Sequence, residues 1–404
     1  MQNDRIILMF DWFNKKTFSW ALYDFSNTIF SMNIVTLYFP LFIIQNLGGK
    51  EFHISLGIAI SMAIGAMVSP FFGMYSDMKL KKNVMLAFTT IFSCLFTSLI
   101  PLSNKIHFAL AFFILANFLY QISLIVYDSL LPSTIEEKNF GVVSGFGVAM
   151  GYMGTFLALI IGKIIVKSAD DNAKIFLPTA ILFFLFSIPC FFIKETKKKE
   201  IEKINIKDTI KRILYEKNLF NYFVGHILYL DAVNTIIAFM AVFLVKIGGF
   251  SQEGGEINYF FFFSTIFAVM GGFFWGYFIK KNDSRKGLIL TLCLWSILLL
   301  VILLPLKKSY YWFIGPFTGV ALAGTWSCDR PLLLSLIKDG ESGRFFGFYY
   351  LTGKISSIIG PLIFGIILSM PYSTETLRYK LAFFSLFIMI IIALSFIKKI
   401  KKEG

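Results

Sequence analysis

The chain has 404 residues, 57% of them hydrophobic and only 15% charged, with a formal net charge of +14. That composition excludes a water-soluble globular protein, whose surface cannot carry so much exposed apolar area. The basic excess invites a nucleic-acid reading, but the positions of the Lys and Arg residues exclude it, as shown below.

Uncharged runs such as 56–76, 84–102, 176–193, 287–306 and 381–397 are each near the ~20 residues that a helix needs to cross roughly 30 Å of hydrocarbon. Along the chain the pattern predicts twelve transmembrane helices, near 17–44, 54–76, 83–102, 107–131, 141–166, 175–193, 219–245, 256–279, 287–306, 310–336, 344–369 and 379–397. The runs are continuous in Ile, Leu and Phe and do not alternate with polar residues, which favours helices over barrel strands. The fold class is therefore all-α membrane protein. Ahead of the first span only Ile6–Phe10 is apolar, so no cleavable signal peptide is expected.

Twenty-six of the 38 Lys and Arg residues lie in the N-terminus, the even-to-odd connections and the C-terminus, ten lie in or beside the odd-to-even connections, and Arg330 and Lys354 lie within spans. The asymmetry predicts that both termini are cytoplasmic. Lys79, Lys81 and Lys82, then Lys197 to Lys199, Lys280 and Lys281, and the run from Lys398 to Lys402 are thus read as topology signals that touch anionic lipid. Residues 194–218 are the only long charged stretch and divide the chain into a six-span bundle at 1–193 and another at 219–404. Within that linker Ile206, Ile210, Ile213 and Leu214 recur at helical spacing, so an amphipathic helix on the inner leaflet competes with a solvated tether.

The halves repeat one another. Asp24-x-x-Asn27-Thr28-Ile29 in span one returns as Asp231-x-x-Asn234-Thr235-Ile236 in span seven, and Asp128 with Pro132 in span four returns as Asp329 with Pro331 in span ten. Parallel repeats of this kind characterise transporters whose site lies between the halves. An intramembrane charge costs about 2.5–3.5 kcal/mol on insertion scales, so Asp24, Asp231, Arg330 and Lys354 require partners or water. Asp24 with Asn27 and Asp231 with Asn234 form matching polar stripes, and Lys354 falls near the bilayer midplane. These five are the candidates for substrate binding or proton coupling, the alternative being polar glue between helices. Asp128, Asp329 and Arg330, near the cytoplasmic span ends, are gate or cavity candidates. Gln121 shares a helical stripe with Asn117 and Asp128. Asp77 is expected to meet the N-terminus of span eleven, where free N–H groups favour an anion.

Other signals carry little chemistry. Cys94, Cys190, Cys293 and Cys328 lie singly within spans and are assigned to packing. His226 has no second His or Cys nearby and is read as a hydrogen-bonded helix residue, so no metal site is expected. Gly147 with Gly151 and Gly272 with Gly276 are explained by close helix packing. There is no Walker A loop, no His-Glu-x-x-His and no serine elbow, which leaves no catalytic residues, no cofactor and no enzyme.

Gly73-x-x-x-Asp77 followed by Lys81-Lys82 resembles the signature of the major facilitator superfamily, and the resemblance extends over essentially the whole chain. The second half departs from it, keeping Gly276 but placing Lys280 where the acid belongs. A narrower resemblance, to the vacuole-effluxer branch with its autophagy-linked amino-acid effluxers, rests on Trp20 to Asn27, on Gly141 to Gly147 with Gly151 to Gly154, and on Phe345-Phe346-Gly347 with Gly353-Lys354 and Gly360-Pro361. The resemblance implies alternating access, with cavity walls from the first and fourth helix of each half, and an amino acid as the solute. Export of organic cations or lipid-like amphiphiles, or a non-transporting receptor, remain as alternatives. The expected partners are a small-molecule substrate, the lipid bilayer and protons, with Asp24 or Asp231 as the proton carrier. The chain is expected to be a monomer in a bacterial inner membrane rather than a vacuolar one.

Overall fold

The computed structural model describes residues 12–78, 81–195, 205–251, 255–371 and 374–401. Ile6–Phe10, Lys79, Lys197, Lys198, Lys199 and Lys402, which entered the signal-peptide and topology readings, and Glu200, Glu202 and Lys203 of the charged linker lie outside the described residues. Among the described residues the regular structure is helical, with no strand. The principal helices are α1 (Lys15–Phe30), α2 (Glu51–Met78), α3 (Lys82–Leu99), α4 (Ile106–Ser129), α5 (Phe140–Ile165), α6 (Phe176–Ser187), α7 (Ile206–Tyr215), α8 (Lys217–Lys246), α9 (Glu256–Lys281), α10 (Ser284–Ile302), α11 (Lys308–Leu334), α12 (Ser342–Ile355), α13 (Ile359–Ser369) and α14 (Glu375–Lys399). Eleven helical stretches among the described residues are long and apolar enough to cross a membrane, and they cover predicted spans one to nine, eleven and twelve. The tenth forms α11, which at 27 residues is long enough but is diluted by Gly315, Pro316, Thr318, Gly319 and the Asp329–Arg330 pair.

Local chemistry sets the helix ends. Asn14 opens α1 with a capping box, its side chain accepting from Lys16 N at 2.8 Å and Thr17 N at 3.0 Å while Thr17 Oγ1 accepts from Asn14 N at 2.9 Å. Asp283 caps α10 through Lys286 N at 2.6 Å, and Thr374 caps α14 through Leu377 N at 3.2 Å. Beyond Phe30 the first span widens into π-helical turns at Ser31–Tyr38 and Phe42–Asn46. Pro40, which has no N–H to donate, sits between the two.

Span eleven, expected to be one helix, is broken into α12 and α13 at Ser356–Ile358. Two causes are local. Ser356 and Ser357 donate their hydroxyls back to Gly353 O at 2.8 and 3.2 Å, competing with the helical ladder. Pro361 cannot donate to a preceding turn and so is tolerated only near the start of a new helix.

The chain forms two compact units, residues 1–206 with 337–351, and residues 207–336 with 352–404. In the first, α1 packs on α5, and α4 packs on α2 and α3; in the second, α9 packs on α11, and α8 and α10 pack on α14. Glycine makes these approaches close. A Cβ at Gly147 would fall 2.6 Å from the Trp20 ring, and one at Gly154 would strike the carbonyl of Phe25. Apolar side chains such as Phe71, Phe88, Phe108, Phe274, Phe313 and Phe317 are more than half exposed, as befits helices solvated by lipid.

Candidate functional site

In the first unit Asp24 and Asn27 are both buried on α1, and Asn27 Nδ2 donates to Asp24 Oδ1 at 3.1 Å. The repeat spacing therefore makes a local pair, one helical turn long. α5 passes beside it, and a Cβ at Gly147 would lie 3.0 Å from Asp24 Oδ2 while one at Gly151 would lie 3.2 Å from Thr28 Oγ1. The glycines thus bring a backbone against a carboxylate, which is more specific than packing alone.

Asp77, at the end of α2, accepts from Gly343 N at 2.9 Å and from Arg344 N at 2.7 Å, capping the start of α12 within the same unit. An anion there meets the partial positive charge of unsatisfied N–H groups. The approach depends on glycine again, because a Cβ on Gly343 would lie 2.6 Å from Asp77 Oδ1 and one on Gly347 would lie 2.5 Å from Ser69 O. Lys82 completes the cluster, 3.0 Å from Asp77 Oδ1, 2.7 Å from Ser342 Oγ and 3.3 Å from Ser129 O. The expected contact of Lys82 with anionic lipid is corrected here: Lys82 is buried and pairs with Asp77. Next to Ser129, Asp128 accepts from Tyr350 OH at 2.6 Å. Gln121, two turns back along the same helix face, is buried with neither amide atom hydrogen-bonded among the described residues, and Gly65 leaves room beside it.

In the second unit one face of α8 runs along the broken span. His226 Nδ1 lies 3.0 Å from Thr352 Oγ1, Asn234 Nδ2 donates to Ser357 Oγ at 3.1 Å, and Asp231 Oδ1 accepts from Gly360 N at 2.7 Å. Asp231 thereby caps the N-terminal end of α13, an orphan donor that exists only because the span is broken. Gly360 is required there, since a Cβ would lie 2.7 Å from Asp231 Oδ1. Lys354 occupies the last turn of α12, where the free carbonyls favour a cation. It is half-buried, and its ammonium makes no hydrogen bond or ion pair among the described residues. The structure thus gathers Asp231, Asn234 and Lys354 around one helix break. The two Asp-x-x-Asn repeats differ accordingly: Asp24 faces an unbroken α5, and Asp231 faces an interruption.

Asp329 is fully enclosed in the second unit and accepts from Tyr222 OH at 2.7 Å and Tyr229 OH at 2.5 Å, with His226 Nε2 at 3.3 Å from its other oxygen. Arg330, half-buried, points elsewhere, as adjacent helical positions must. Sequence reasoning missed Tyr222, Tyr229 and Tyr350 as partners of the acids and Thr352 as a partner of His226. Tyr222, His226 and Tyr229 lie at three- and four-residue spacing on one face of α8, a polar stripe that an Asp in an apolar span should have prompted a search for. No group of three or more His, Cys, Asp or Glu residues suited to a metal occurs among the described residues.

Known proteins carry the same framework. The chain is 25% identical over 402 residues to autophagy-related protein 22 of Vanderwaltozyma polyspora, covering 84% of this chain and 75% of that protein. It is 24% identical over 413 residues to the uncharacterized MFS-type transporter YxiO of Bacillus subtilis, covering 95% of each. In solved structures, a bacterial homologue of the iron transporter ferroportin in an outward-facing state superposes with a TM-score of 0.75 over 96% of this chain and 99% of that one, at 14% identity that carries the fold alone. The sequence profile of the Major Facilitator Superfamily matches residues 25–361 and, overlapping, 250–403, so the chain is a multi-pass membrane transporter that belongs to that superfamily.

Proposed function

We propose that this transporter is a secondary carrier that moves a small solute by alternating access, with an amino acid as the first candidate solute. In this reading it works as a monomer with two six-helix halves, 1–193 and 219–404, joined at 194–218, with both termini in the cytoplasm of a bacterial cell. The observation that supports it best is the interruption of span eleven. Lys354 stands at one end of the break, unpaired among the described residues, and the Asp231 carboxylate caps the other. Discontinuous helices of this kind offer opposite half-helix ends to a charged solute. A zwitterion suits this arrangement, its carboxylate meeting Lys354 and its ammonium meeting Asp231, with Asn234 bonding either end. Asp231 has one oxygen committed to Gly360, which leaves the other for the solute or for a coupling proton.

The test begins with thermal unfolding of the purified chain against amino acids, peptides and amphiphilic cations, since a ligand of the folded state stabilises it. Any solute that stabilises the chain is then offered to proteoliposomes. Amino acids are expected to stabilise the protein and to be transported. Stabilisation by organic cations alone, indifferent to Lys354→Gln, overturns the amino-acid reading. Binding of a solute with no transport under any gradient overturns the carrier reading in favour of a receptor.

A further inference from the structure

At one end of the second unit, the start of α8, the start of α10 and the end of α14 surround a cleft of about 750 Å³. Lys217, Arg285, Lys398, Lys399 and Lys401 line it together with Asn218, and among the described residues no acid does. None of these five cations makes an ion pair among the described residues. The cleft is built rather than incidental. Arg285 donates to the carbonyls of Ile397 at 3.3 Å and Lys398 at 2.5 Å, and Asn218 and Lys401 clamp each other, Nδ2 to O at 3.0 Å and N to Oδ1 at 2.9 Å. These contacts hold the chain beyond α14 against the first turn of α8, so the basic residues of three helix ends line one cleft.

Two further features point to the ligand. α8 is a 30-residue helix whose first turn has no side-chain cap, and its first two residues, Lys217 and Asn218, line the cleft. Glu216, next to Lys217 in the chain, is held by Arg212, Nε to Oε1 at 2.6 Å. Immediately before it, α7 leaves Ile210, Leu214 and Tyr215 41%, 57% and 81% exposed, apolar side chains with little protein cover beside a cationic cleft. α8, α10 and α14 each have the length and apolarity to cross a membrane, so the cleft lies where their charged ends leave it.

The geometry points to a binding site for the phosphate headgroup of an anionic phospholipid, with α7 lying on the acyl chains beside it. A free phosphate would meet the basic cleft and the helix terminus but would leave α7 uncovered. A phospholipid satisfies both, and a cation at an anionic membrane surface gains from each negative headgroup it meets.

The test uses the full chain in detergent micelles doped with phosphatidylglycerol or phosphatidylcholine, or supplied with inorganic phosphate, reading unfolding temperature and lipid retained in native mass spectra. Lys217→Gln/Lys401→Gln removes two side-chain charges but keeps the backbone clamp, and Lys207→Gln/Lys211→Gln removes two from α7 outside the cleft. Phosphatidylglycerol is expected to stabilise the wild-type chain more than phosphatidylcholine does. The cleft variant is expected to bind it about 30-fold more weakly, and the α7 variant to bind it nearly as well as wild type. Equal stabilisation by the two lipids overturns the site, as does an equal loss in both variants. Full stabilisation by inorganic phosphate overturns the lipid assignment and leaves a free-anion site.

Discussion

At the scale of single residues, what decides is whether a buried charge has partners. Asp329 has three, and removing it strands His226, Tyr222 and Tyr229 in a closed interior. Asp329→Ala is expected to destabilise the fold by about 3–5 kcal/mol, the range for breaking a buried pair. Tyr229→Phe is expected to cost about 1 kcal/mol, since a second donor stays in place and hydrogen bonds within membranes are individually modest. A double-mutant cycle with His226→Gln, followed by unfolding in mixed micelles, checks both, and additive losses would show that the pair does not couple. Lys354 is the contrasting case, a cation whose removal strands nothing among the described residues. Lys354→Gln is expected to leave folding near wild type and to abolish transport, and Lys354→Arg to rescue poorly because a planar guanidinium does not replace a compact ammonium. Measuring affinity and turnover separately decides the role: unchanged affinity with lost turnover would retire solute contact and leave a gate.

At the scale of elements, two helix starts are held by acids from other helices, Asp77 on α12 and Asp231 on α13, and each passes through a glycine that a Cβ would block. Gly343→Ala drives a methyl against Ser76 Oγ, Gly73 O and Asp77 Oδ1, so one of the cap bonds must open. Overpacking of this sort typically costs about 1–3 kcal/mol, and because the lost cap also strands N–H groups the upper end is expected. Gly65→Ala is the control, its nearest neighbour being the flexible end of Gln121 at 3.3 Å. A loss for Gly65→Ala as large as that for Gly343→Ala in thermal unfolding would refute the cap as the cause. The signature Gly73-x-x-x-Asp77 was legible in the sequence, and so was the preference of Asp77 for a helix N-terminus. Lys82 was legible as the basic end of that signature, but its pairing with Asp77 was not, because burial is a property of what packs over a residue and not of the residue itself.

At the scale of the whole molecule, the question is how transport draws on a gradient. If a carboxylate of the repeat exchanges a proton in each cycle, replacing both Asp24 and Asp231 by Asn is expected to abolish accumulation driven by a pH gradient while sparing solute exchange at equal pH. Proteoliposomes loaded with the transported solute and a pH-sensitive dye check this. Gradient-driven accumulation at the wild-type rate in the double variant would exclude both residues as the proton carrier.

The membrane-spanning helices follow from the sequence alone, because in hydrocarbon every backbone group must be satisfied within its own segment and a run of some twenty apolar residues leaves the chain one solution. The same economy made Asp24, Asp231, Asp329 and Lys354 visible as candidates, since a charge in such a run has a cost that needs a reason. Their partners were decided by tertiary structure. Asp24 and Asp231 occupy equivalent positions in a repeated motif, yet one faces the continuous backbone of α5 and the other caps a helix that begins afresh at Ile359. The residues that break the span, Ser356, Ser357 and Pro361, were present in the sequence. A break leaves N–H groups that are stable only with an acceptor, and Asp231, more than a hundred residues away along the chain, supplies one only after the helices have packed.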